Sequence, residues 1–287
     1  MLRSILVALD GSESSTRASE VALELASQHG AHLEGLGIVN SGWIQRPEPV
    51  PIGGIAIKAA LDLSRLGTAR ERVDRVLQEF KAQVAKAGIS SHVVRAAEGN
   101  PLQLVAREAT AHDLVAVGRK SIFDVDGELY DLPVCVERIV REEPRPILLV
   151  PSEPSESGMG GSQRAILVAF DDSPASSRAL HMFALLGLAQ NRAVHVLTAA
   201  DETDAATETA GRACELVARH GASQTRAIGL GDREAGTPSE TILGLAKSIG
   251  AEMIVMGAYG RRGIREIFGS TTREVLNACP TVLFLHH

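Results

Sequence analysis

The sequence predicts an α/β protein made of two tandem, doubly wound parallel-sheet domains. Three observations predict it. Short apolar strands alternate with amphipathic helices along the whole chain. The same strand–helix order occurs twice. The apolar residues are overwhelmingly aliphatic: of 287 residues, 45% are hydrophobic but only 3% aromatic. Such a composition suits strands buried under helices on both faces.

The elements follow in order. Ile5 to Leu9 is a short apolar strand. A helix follows with Ala18, Val21, Ala22, Leu25 and Ala26 on one face, closed by Gly30. His32 to Val39 is a second strand, and Val73, Val76, Leu77, Phe80 and Val84 mark a long helix ending at Gly88. His92 to Ala96 is a third strand. Asn100-Pro101 opens a helix, with Asn as cap and Pro in the first turn. Leu114 to Val117 and Ile147 to Val150 are the fourth and fifth strands. Strand–helix alternation implies parallel pairing with right-handed crossovers.

The second copy is visible by eye. Ile5-Leu6-Val7-Ala8-Leu9-Asp10-Gly11-Ser12 matches Ile166-Leu167-Val168-Ala169-Phe170-Asp171-Asp172-Ser173, an offset of 161 residues. Asp113 to Gly118 matches Glu252 to Gly257 at an offset of 139, so the first copy holds 22 extra residues. These fall near Ser41 to Leu63, where Arg46-Pro47-Glu48-Pro49-Val50-Pro51 predicts an extended surface segment. The Pro/Ser/Gly-rich stretch after Val150 reads as a linker. The expected domains are residues 1–151 and 164–287, joined by 152–163.

Bulk properties exclude several functions. A net charge of −6 argues against a nucleic-acid binder. No apolar run is long enough for a membrane span, and Met1 leads straight into a strand, which predicts no signal peptide and a cytoplasmic location. Three cysteines without CxxC spacing predict neither disulfides nor a thiolate cage. The nine histidines show no HExxH spacing, so no metal site is expected. There is no Walker motif and no nucleophile elbow, and no catalytic residue is assigned.

In doubly wound sheets ligands sit beyond the carboxyl ends of the strands. After the strand ending at Met256 the sequence reads Gly257-Ala258-Tyr259-Gly260-Arg261-Arg262-Gly263, then Phe268-Gly269-Ser270-Thr271-Thr272. Glycines free backbone amides, and the Ser-Thr-Thr run opens a helix. Thr271 and Glu274 have capping-box spacing, so that helix should start near Thr271. Bare amides, a helix dipole and hydroxyls together suit phosphate. The same residues also read as a Gly-rich turn before a capped helix.

This segment resembles the signature of ATP-binding universal stress proteins: Gly, two residues, Gly, about nine residues, then Gly-Ser or Gly-Thr. Gly257, Gly260, Gly269 and Ser270 match, although eight residues rather than nine separate Gly260 from Gly269. Asp171 to Ser173 and Asn277-Ala278-Cys279-Pro280-Thr281-Val282-Leu283 are similar to the family's opening and closing segments. The resemblance covers nearly the whole chain in two copies and implies five-strand, adenine nucleotide alpha hydrolase-like sandwiches. It implies ATP, with or without Mg²⁺, in the second domain. Asp171 would lie beside the nucleoside, with the backbone of Val196 to Thr198 contacting adenine, and Met256 and Gly257 lining base and ribose. Gly260, Gly269, Ser270, Thr271 and Thr272 would hold phosphates. It also implies a homodimer through edge strands, with Val282 to Leu285 as the candidate edge.

The first copy departs from that pattern. Gly118-Arg119-Lys120-Ser121 lacks the second glycine, and Pro133-Val134-Cys135 stands where Gly269-Ser270-Thr271 does. Proline has no amide hydrogen to donate. Asp124, Asp126, Glu128 and Asp131 would repel a triphosphate. No nucleotide is expected there. Three functions remain open on the residues: a nucleotide-responsive stress regulator, a nucleotide-free dimeric scaffold, and a slow ATPase.

Overall fold

The computed structural model describes residues 1–121, 123, 133–153, 165–231, 236–258 and 270–287. The chain divides into two compact units, Arg3–Ile139 and Val140–His287, the latter with Met1–Leu2.

The Arg3–Ile139 unit contains β1 (Ser4–Leu9), α1 (Glu13–His29), β2 (His32–Val39), α2 (Ser41–Ile44), α3 (Ile55–Lys86), β3 (His92–Glu98), α4 (Pro101–Ala109) and β4 (Leu114–Gly118). All the strand pairs in it are parallel, in the order β3-β2-β1-β4. α1 starts because Ser12 accepts a hydrogen bond from the Ser15 amide, and it stops at left-handed Gly30. Asn100 caps α4 through the Gln103 amide, with Pro101 in the first turn. Ile5 to Leu9 of β1 and all of β4 are buried, as their continuous apolar runs require.

The extra residues of the first copy are not one extended excursion. Ser41–Ile44 is a short helix, capped by Asn40, and α3 begins at Ile55, well before Val73. The three prolines keep only 46–54 out of helix, since proline lacks the amide a helix interior uses. Arg46 stacks its guanidinium 3.8 Å from the Trp43 ring centroid and pairs with Glu48 at 2.9 Å. Most of the remaining insertion lengthens α3.

α5 (Val134–Glu142) leads into the second unit. There β5 (Ile147–Val150) is followed by β6 (Ala165–Ala169), α6 (Pro174–Leu185), β7 (Ala193–Ala200), α7 (Thr203–Arg219), β8 (Gln224–Gly231), α8 (Pro238–Ser248), β9 (Ala251–Gly257), α9 (Ser270–Ala278) and β10 (Val282–His286). The strand order is β8-β7-β6-β9-β10-β5. Ser173 caps α6, and Thr237 with Glu240 forms the capping box expected for α8.

Two expectations need correction. Val282 to Leu285 is not a free edge. β10 runs parallel to β9 on one side and antiparallel to β5 on the other, with Leu283 opposite Leu149 and Phe284 opposite Leu148. The last strand of the first copy thus completes the sheet of the second unit. α9 begins at Ser270, which places Thr271 inside the first turn. Glu274 is engaged elsewhere: its carboxylate accepts from the Ser239 hydroxyl on α8.

In both units the strand order reverses beside the first strand, at β1/β4 and at β6/β9. One close contact is repeated at this switch point. A Cβ added to Gly118 would stand 2.5 Å from the Ser14 carbonyl carbon and 2.6 Å from the Ser15 nitrogen. A Cβ on Gly257 would stand 2.5 Å from the Ser176 nitrogen and 2.6 Å from the Ala175 carbonyl carbon. These partners are backbone atoms and cannot swing aside. Gly118→Ala and Gly257→Ala are each expected to cost about 1–3 kcal/mol, measured by urea denaturation. Wild-type stability in both variants would show that the helices are not held where described. A fragment of residues 152–287 lacks β5 and leaves the β10 edge bare. It should self-associate in light scattering.

Candidate nucleotide site

A cavity of about 290 Å³ opens at the carboxyl ends of β6, β7 and β9, at the switch point of the second unit. This volume is near the lower end of the range for small-molecule sites, roughly 300–1000 Å³. Ala169 ends β6 and Phe170 and Asp171 follow it into the lining, with Leu197 and Ala199 from β7, and Met256 and Gly257 from β9. Pro238, Thr241 and Ile242 of α8 form one wall, and Thr271 and Thr272 of the first turn of α9 form another. Ser173 and Ser176 bring in the start of α6. Three helices therefore begin at the cavity, and their first-turn amides and dipoles favour an anion.

The apolar lining follows from the strands. Met256 and Leu197 are buried at 6% and 4% exposure and present hydrocarbon to the interior of the cavity. Polar groups lie around it. Asp171 is exposed. Its carboxylate accepts from the Ser173 amide at 3.1 Å, and its own amide donates to Ser176 Oγ at 3.4 Å. Thr237 hydrogen bonds hold the Glu240 carboxyl below its ordinary range. Flat apolar walls and a polar rim can accept an aromatic base and orient what is attached to it.

The structure brings together Asp171, Met256, Gly257, Thr271 and Thr272 from the sequence-expected set. Val196 does not join them. It is fully buried in β7, while its neighbours Leu197 and Ala199 line the cavity. Gly260 and Gly269 lie outside the described residues, as do Arg261, Arg262 and Arg265. Ser270 is described only as the first residue of α9. The α8 wall was not read from sequence. Its signal was Thr241-Ile242 one turn after the capping box, a spacing that turns them to one side of the helix.

The equivalent turn in the first unit is packed differently. Asp10 is fully buried. Its Oδ1 accepts from the Ser12 amide at 3.1 Å and the Ser12 hydroxyl at 2.7 Å, while Oδ2 has no hydrogen-bond partner among the described residues. Arg72 of α3 lies against this turn, its Cγ 2.6 Å from where a Cβ on Gly11 would stand. Gly11 has φ of 81°, and its missing side chain is what lets the Arg72 stem lie down. The second copy has Asp172 there, also at positive φ, and Asp171 remains exposed. Pro133 precedes α5, which starts at Val134 just as α9 starts at Ser270, the residues that the repeat alignment pairs. Asp124, Asp126, Glu128 and Asp131 lie outside the described residues.

The fold and the cavity define a class: a tandem α/β protein with a small-molecule cavity at a strand-order switch. The family follows from comparison. The universal stress protein family matches residues 1–151 and 163–285, and the chain belongs to that family as two domains in tandem. A universal stress protein of Thermus aquaticus is 29% identical over 154 residues, 52% of this chain and 99% of that one. A crystal structure of a universal stress protein from Archaeoglobus fulgidus covers 99% of this chain and 97% of its own, at 20% identity and a TM-score of 0.69. A universal stress protein solved in complex with cAMP covers 53% of this chain at 21% identity and a TM-score of 0.36, a likeness too partial to inform the site.

Burial raises the Asp10 carboxyl above its ordinary value of 3.8, against the lowering effect of the Ser12 and Ser15 hydrogen bonds and of Arg72. A raised carboxyl means that the folded state holds the proton more tightly than the unfolded state. Its contribution to stability is complete at pH below 3.8 and is lost as pH rises through the folded value. The stability of wild type minus that of Asp10→Asn should therefore fall as pH is raised from 4 toward neutrality. Urea denaturation across that range checks it, and a flat or rising difference contradicts the burial.

Proposed function

We propose that the second domain binds an adenine nucleotide, ATP with or without Mg²⁺, and that occupancy rather than rapid turnover is its output. The protein would then act in the cytoplasm as a nucleotide-responsive stress regulator. Its domains would be 1–151 and 164–287, joined by 152–163. One observation carries the reading: Asp171, Met256, Gly257, Thr271 and Thr272, chosen from sequence, line a single cavity at the switch point. The base would lie against Met256 and Leu197, with the ribose near Asp171 and Gly257. The phosphates would meet Gly260, Gly269, Ser270, Thr271 and Thr272. In the first domain Asp10 is buried and the Arg72 stem lies against Gly11, whereas Asp171 is exposed at the cavity, and this difference supports a nucleotide in the second domain.

Regulation fits the site better than catalysis. Asp171 is the one carboxylate among the described lining residues, and it is engaged with the cap of α6. No described helix is long and apolar enough to cross a membrane. The homodimer edge offered by sequence, β10, is occupied by β5, so a dimer through it forms no part of this reading.

Saturating Mg-ATP should raise the thermal midpoint. At a hundredfold excess over Kd the stabilisation is about 2.7 kcal/mol, or roughly 5–10 °C for a domain of this size. Ala199→Phe places a ring in the cavity from an exposed strand position and should abolish the rise with little change in the ligand-free midpoint. No rise in wild type would leave a nucleotide-free scaffold. Steady ATP turnover that Ala199→Phe removes would turn the reading to an ATPase.

A further inference from the structure

We propose that His32, Glu34 and His112 form a binding site for a divalent transition-metal ion of the zinc type, at the opposite end of the first unit's sheet from Asp10. One potential ligand atom from each of the three lies within 4.8 Å of the others. His32 and Glu34 alternate along β2 and so share a face of the sheet. His112 comes from the turn between α4 and β4. The cluster is independent of the nucleotide reading, which concerns the other domain.

The argument is one of proton placement. His112 Nδ1 lies 2.9 Å from the Glu108 carbonyl oxygen, which can only accept. The proton is therefore on Nδ1, and in the neutral ring Nε2 carries a lone pair. That Nε2 lies 3.6 Å from Glu34 Oε2, with both side chains only 4% exposed. A lone pair facing a buried carboxylate is unfavourable unless the ring takes up a second proton or a cation lies between them. Two donors on a tetrahedral ion with bonds of about 2.1 Å sit roughly 3.4 Å apart, close to the spacing found.

The surroundings are those of a metal site. His32 Nδ1 is 2.9 Å from Ser91 Oγ, so each histidine is oriented by a partner on its far nitrogen. The two rings lie nearly parallel, at 28° with centroids 6.2 Å apart. Arg95 grips Glu34, with Nε 2.8 Å from Oε1 and a terminal nitrogen 3.0 Å from Oε2. It also reaches Glu108, which pairs with Arg107. A carboxylate oxygen has two lone pairs, so Glu34 keeps one free for an ion. His32 is half-buried and leaves a fourth position open to water or an exogenous ligand. The competing arrangement is a protonated His112 paired with Glu34, needing no metal.

Chelator-stripped full-length protein, dialysed against Zn²⁺ and separately titrated with Co²⁺, distinguishes the two. One equivalent of Zn²⁺ should bind, and Co²⁺ should develop the visible ligand-field bands of a tetrahedral N/O site. His32→Ala, at a half-exposed position, should weaken binding by about a hundredfold or more. Ser91→Ala, which removes only the contact orienting His32, should weaken it roughly tenfold. Absence of Zn²⁺ binding overturns the proposal. So does Zn²⁺ binding unchanged in both variants, which would assign the ion elsewhere, with His286 and His287 the first alternative.

Discussion

The structure depends on a glycine pressed against the start of a helix. Gly257 allows the first turn of α6 to lie directly on the end of β9, and Gly118 does the same for α1 on β4. Any side chain at these points would push the helix off the sheet. The contact fixes where the acidic turn after the first strand can go. It sets Asp171 and Ser173 on one side of the crevice while β9 and α9 form the other. The conservative reading of Gly257, as a residue serving a ligand, is therefore incomplete, because the contact would be required in an empty cavity too. Its recurrence at Gly118 in the first unit shows that the contact belongs to the fold of each copy.

From this common frame the two copies diverge through one neighbouring position. Gly11 has no side chain, so the Arg72 stem covers the turn and Asp10 goes under it. Burying a carboxylate is unfavourable, and here the Ser12 and Ser15 hydrogen bonds and the nearby guanidinium offset only part of the cost, as the raised Asp10 carboxyl shows. In the second copy the same position is Asp172, also at positive φ, and Asp171 stays exposed. The two copies thus share a fold and differ in the packing of this turn.

Much of this was legible in the chain. Periodicity and the offset between copies located the strands, and the caps Ser12, Asn100, Ser173 and Thr237 were readable because a helix start is a local event. Asp171, Met256, Gly257, Thr271 and Thr272 were legible because strand ends at a switch point converge by topology. What failed was non-local or competitive. Which side chains of β7 face the cavity depends on alternation along the strand, which turns Val196 into the core and gives the cavity to Leu197 and Ala199. The prolines at 47, 49 and 51 were allowed to speak for the whole insertion, although their effect ends within a few residues and Ile55 begins a helix. Glu274 had capping-box spacing, yet Ser239 of another helix competes for its carboxylate. His32, Glu34 and His112 carry no spacing signature, because only the sheet register and a turn remote in sequence bring them together.

The fate of β5 shows how tandem duplication removes a liability. A bare strand at a sheet edge offers unpaired amides and carbonyls to any passing chain. β10 ends its copy of the repeat at such an edge, and its partner strand is the equivalent last strand of the other copy, running antiparallel. Two equivalent strands pairing antiparallel is the arrangement a two-fold symmetric dimer would use. Here both strands belong to one chain, so the linker after β5 makes pairing intramolecular and largely independent of protein concentration. Leu149, Leu283 and Phe284 are all buried, and full burial of such side chains contributes about 1.5–3 kcal/mol each. The fifth strand of the first copy therefore has a structural task in the second sheet that is separate from whatever its own copy binds.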